Sequence, residues 1–154
     1  MYTPLYRKRS TKVSLEINAK FKEATLQQIK NIAPKPEAIH FHYAVMELEA
    51  WLLGFKDIFE KTDVRLTNAF ILENLGIDLE QIDPESTFLH PTEIVKKITA
   101  LFGSAYDKHV GEVNAFMSNQ LREDFLEFRD SCKCRSFSSF FASLPTETDF
   151  MSLS

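Results

Sequence analysis

The chain is poor in the residues that build several common sites. It has two cysteines, Cys132 and Cys134, too few and too close together for the disulfide framework of a secreted domain. Its four glycines, at positions 54, 76, 103 and 111, stand isolated, so there is no glycine-rich loop to cradle the phosphates of ATP or a dinucleotide. No serine sits in a Gly-x-Ser-x-Gly elbow, and neither His-Glu-x-x-His nor Asp-x-Asp occurs. No apolar run approaches the roughly 20 residues needed to cross a bilayer, and the amino terminus has no hydrophobic signal segment. The expectation is a cytoplasmic protein in a reduced compartment, with no membrane partner.

What the chain does have is apolar bulk: 154 residues, 44% hydrophobic, with fourteen phenylalanines, enough for the core of one domain. The net charge of −4 hides an asymmetry. Residues 1–35 hold eight Lys and Arg against two Glu, and the remainder holds ten against twenty acids. The basic group Arg7, Lys8, Arg9 and Lys12 reads as a solvated terminus, with contact to nucleic-acid phosphate as the alternative.

Patterning divides the chain into a basic arm (1–11), a single domain (12–145) and a polar tail (146–154). Val13, Leu15 and Ile17 alternate like a strand over residues 12–18, and a helix is expected over 19–33, stopped by Pro34 and Pro36. Ile39, Phe41, Tyr43 and Val45 alternate with His40, His42 and Ala44, the period of a strand over 38–45. The period then lengthens. Leu48, Trp51, Leu52, Phe55 and Phe59 predict a helix over 47–60, and Thr62 is the expected N-cap of another ending near Leu75 with Gly76 as its cap. Residues 77–90 read as a loop, Pro91 opens a helix running to Gly103, and three short helices follow, ending at Pro145. The expected fold is a helix-rich α/β domain, with a sheet of one or two strands followed by a cluster of short helices. A solitary strand needs a partner from residues 12–18, another copy or a different chain.

Glu47 and Glu49 stand beside the sole tryptophan, Trp51, where the strand meets the helix. Carboxylates are favoured in a first helical turn by the helix dipole, and they are also the ligands that hard cations prefer. Residues two apart on a helix point roughly 200° apart, so both face one ion only if the first turn is irregular. His40 and His42, on one strand face near these carboxylates, form an alternative metal-ligand set, although an exposed polar face gives the same pattern. Cys132 and Cys134 are either half a thiolate site or packing residues. Asp78, Glu80, Asp83 and Glu85 lack the spacing of a calcium loop and read as a solvated loop.

The segment Glu47-Leu48-Glu49-Ala50-Trp51-Leu52-Leu53 resembles the hallmark Glu-x-Glu-Ala-Trp-Leu-Leu of an uncharacterised Toprim-like domain family of bacteria and their mobile elements. Asp83-Pro84-Glu85, His90-Pro91, Tyr106-x-Lys108 and Cys134-Arg135-Ser136-Phe137 are similar to its later elements, in order, over about residues 38–145. The resemblance implies a partial Toprim-like sheet and Mg²⁺-dependent, nuclease-related phosphodiester chemistry, in which Glu47 and Glu49 are catalytic metal ligands and Tyr106 and Lys108 contact phosphate. The family's Asp-x-Asp is missing, so the chain resembles its carboxy-terminal half.

Three readings follow. The first is a truncated or split nuclease-related protein, inactive alone and linked to bacterial or phage defence, whose Mg²⁺ site needs acids supplied from elsewhere. The second is a non-catalytic interaction module that binds a partner protein, or a second copy as a homodimer, through an exposed strand edge and its phenylalanine-rich helices. The third is a small complete enzyme with His40, His42 and Glu49 around a metal.

Overall fold

A computed structural model describes residues 11–39, 41–42 and 48–144. Among these the elements are all helical: α1 (Thr11–Ile32), a 3-10 turn (Pro36–Ala38), α2 (Leu48–Gly54), α3 (Ile58–Thr62), α4 (Asn68–Leu75), α5 (Pro84–Thr87), α6 (Pro91–Ala100), α7 (Val110–Met117), α8 (Arg122–Ser131) and α9 (Arg135–Ala142).

The expected α/β class and its partial Toprim-like sheet are therefore corrected, since no strand occurs among the described residues. Residues 12–18 belong to α1. Their alternation is too short to decide: Val13 and Ile17 are also four apart and continue through Phe21 and Ala24 at helical spacing, in a segment of good helix formers. In the other expected strand, residues 39, 41 and 42 are not strand, while 40 and 43–47 lie outside the described residues.

Local chemistry explains most boundaries. Thr67, rather than Thr62, caps α4, its hydroxyl accepting from the Phe70 amide at 3.1 Å. Thr62 closes α3, where its hydroxyl donates to the Ile58 carbonyl at 2.8 Å. Gly76 ends α4 at φ 66°, its amide returning to the Leu72 carbonyl. The Asp83 carboxylate accepts from the Glu85 amide at 3.0 Å and starts α5 at Pro84, a turn inside the expected loop.

The helix expected over 47–60 is broken into α2 and α3. A Cβ on Gly54 would lie 2.3 Å from two ring carbons of Phe128 and 3.2 Å from the Cys134 sulfur. Only hydrogen fits there, so α8 packs directly on the end of α2 and the chain turns away at Phe55. Around this point α2 packs mainly on α5 and α6, α3 on α7, α4 on α6 and α8 on α9. Leu53, Ile58, Ile71, Val95 and Ile98 are wholly buried between them.

Among the described residues no helix is long and apolar enough to cross a membrane.

Candidate functional site

The site is built around the first turns of α2. Leu48 faces outward and is 63% exposed, whereas Glu49 turns inward and is 5% exposed. The segment between α6 and α7 covers it. There the buried Tyr106 donates its O–H to Glu49 Oε1 at 3.0 Å, and the Lys108 ammonium lies 3.5 Å from the same oxygen. Glu112 holds this segment in place, its Oε2 accepting from the Asp107 amide at 2.9 Å and the His109 amide at 3.0 Å. Between those two amides Lys108 adopts φ 61°, a left-handed conformation that costs a side-chain-bearing residue roughly 1–2 kcal/mol. The surrounding contacts hold that strain in place.

Three of the residues nominated from sequence thus meet at one point, and Glu47 lies outside the described residues. At that point Glu49 is engaged by partners from its own chain. Both contacts fall on Glu49 Oε1, which accepts a hydrogen bond from the phenol and faces the positive charge of the ammonium. Among the described residues no group of three or more His, Cys, Asp or Glu is arranged to hold a metal ion.

The other candidate ligands that are described lie elsewhere. His42 lies edge-on to Phe140 with ring centroids 5.9 Å apart, and His40 is outside the described residues. Cys134 is buried with its sulfur 3.4 Å from the Ala50 carbonyl, and burial pushes its thiol well above the ordinary range, while Cys132 is exposed.

A second polar knot lay hidden in the acidic loop. The Trp51 Nε1–H donates to Ser136 Oγ at 2.8 Å and to Glu85 Oε1 at 3.2 Å. The Ser136 hydroxyl also bonds to Glu85 Oε1, and the Ser136 amide donates to Glu85 Oε2 at 3.3 Å. Burial pushes the Glu85 carboxyl above the usual carboxylate range, and the hydrogen bonds from Ser136 and Trp51 oppose that rise. Composition alone marked Glu85 as solvated. The usable signal was Asp83-Pro84, a helix start that turns the next residue back toward the protein.

Between the two knots opens a cleft of about 520 Å³. Its walls are aromatic: Trp51, Phe55, Phe125, Phe137 and Phe140. Trp51 stacks on Phe140 at 5.5 Å and meets Phe137 edge-on at 5.4 Å. Val113 and Met117 of α7 line it too, and its charged groups are Glu49 and Lys108, paired with each other. Sequence reading placed Trp51 and Phe55 on an apolar stripe without showing that a gap would open beside them. Chemically the cleft offers apolar contact beside an internally neutralised ion pair. Compared with known proteins, the chain matches no family model, no curated protein and no solved structure.

Proposed function

We propose that this chain is a protein-interaction module whose aromatic cleft receives apolar side chains of a partner protein. The observation that carries this reading is the continuity of apolar surface from the cleft onto its surroundings. Leu48 lines the cleft while 63% exposed. On α7, Val110 is 76% exposed and stands one turn before Val113, which lines the cleft. Contiguous exposed apolar surface of this kind marks a surface that associates, whereas a small-molecule pocket encloses most of its ligand.

The nuclease-related reading asks Glu49 to face a cation and Lys108 to face phosphate. Their mutual ion pair instead supports a role in shaping the cleft wall. The surface proposed also differs from the strand edge expected at first, because the described residues contain no strand.

The test is to pan short peptides displayed on phage against the chain, with Leu48→Asp as the counter-selection. Enriched peptides should carry apolar residues at helical spacing, should quench or shift the emission of Trp51, and should bind Leu48→Asp at least about tenfold more weakly. No enrichment, or equal binding to Leu48→Asp, removes the proposal.

A further inference from the structure

The helix α1 carries an apolar stripe that is largely exposed. Ile17, Phe21, Ala24 and Ile32 recur at the spacing of one helical face. Ile17 is 56% exposed and Ile32 81%. Phe21 rests on Phe41 with ring centroids 6.2 Å apart, yet still leaves 60% of its surface to solvent. Among the described residues the main helix pairings of the core are formed by α2 to α9. The same molecule therefore presents a convex apolar ridge and a concave apolar cleft, both facing water.

We infer that the partner for the cleft is a second copy of this chain, whose α1 lays the Ile17–Phe21 ridge between Leu48 and Phe140. This rests on the reading of the cleft as a protein-binding surface, and adds what fills it. Anchors three and four residues apart are the form in which an amphipathic helix enters a groove. Charge agrees with the match. The charge that borders the ridge on α1 is Lys20, while the segment beside the cleft holds Asp107 and Glu112, with Glu49 and Lys108 paired to each other. Lys20 is exposed, so it can approach that acidic rim as Ile17 and Phe21 enter. Because ridge and cleft are different surfaces, the contact is heterologous: reciprocal exchange closes a dimer, and one-way insertion extends a chain of copies.

Complementation of variants tests this in the full-length chain. Sedimentation equilibrium should show reversible self-association of the native chain. Ile17→Asp, with an altered ridge, and Leu48→Asp, with an altered rim, should each weaken it at least about tenfold while keeping the native circular dichroism. An equimolar mixture should associate again as pairs containing one of each, because Ile17→Asp retains an intact cleft and Leu48→Asp an intact ridge. Phe21→Asp, used in place of Ile17→Asp, should behave the same way. A native chain that is monomeric at every concentration overturns the inference, as does association unaffected by these variants or a mixture that stays monomeric. If displayed peptides still bind in a Leu48-dependent manner while the native chain is monomeric, the homotypic inference falls and the cleft reading stands. If neither is seen, both fall.

Discussion

A carboxylate that is only 5% exposed needs positive compensation close by, and Glu49 receives it from groups 57 and 59 positions further along the chain. The Tyr106 bond is the better shielded of the two, since Tyr106 is 2% exposed whereas the Lys108 side chain is 46% exposed. Tyr106→Phe deletes that one donor and leaves ring packing and the ion pair in place. It should lower the stability of the chain by about 1.5–3 kcal/mol, the range for a buried hydrogen bond to a charged acceptor, measured by urea unfolding. An unchanged midpoint would show that the bond does not form in solution. Glu49, Tyr106 and Lys108 were all legible as candidate residues, but not as one another's partners. Glu85 was misread because acidity and loop position suggested solvent, while its surroundings supply three donors.

Helix ends depend mainly on neighbouring residues, and here sequence reading succeeds at Gly76 and at the start Pro91. It fails where packing terminates a helix. Gly54 is read as an unremarkable helical residue until Phe128 is seen pressed against its α-hydrogen. Gly54→Ala would gain helix propensity at an open site; here it should destabilise by about 1–3 kcal/mol through overpacking, read as a lower midpoint of thermal or denaturant unfolding. A neutral or stabilising result would mean that α8 moves aside readily. The equivalent change at Gly111 meets nothing within 4 Å, so the contrast isolates the contact. At α1 the failure is one of period: three alternating apolar residues satisfy a strand and a helix alike, and the longer run through Ala24 decides for the helix.

Across the whole molecule, the Trp51–Glu85–Ser136 knot ties α2, α5 and α9 together behind the cleft. Burial raises the folded-state pKa of Glu85 above its unfolded value of 4.5, so its proton is held more tightly in the fold. Its contribution to stability is therefore fully present below pH 4.5 and is lost as the pH rises through the raised folded value. Glu85→Gln, which keeps an acceptor and removes the charge, should abolish that component. Comparing unfolding free energies of the two proteins across this window should show the native chain losing stability relative to the variant as pH rises, and a constant difference would exclude the linkage. Asp63 opposes it from the surface, since the hydrogen bond from Arg65 holds it down to about 2, but its exposure leaves little effect on the fold.

The amino-acid sequence by itself determined where many helices begin and end, which stripes are apolar, and that glycine-rich phosphate loops and disulfide frameworks are excluded. These follow from interactions within a few residues: caps, proline geometry and the 3.6-residue period. Tertiary structure decided the rest. It paired Glu49 with Tyr106 and Lys108, buried Glu85, and left a gap between aromatic faces that becomes the cleft. Each of these depends on which distant surfaces meet, and no local spacing rule encodes that choice when the contacting groups lie many helical turns apart along the chain.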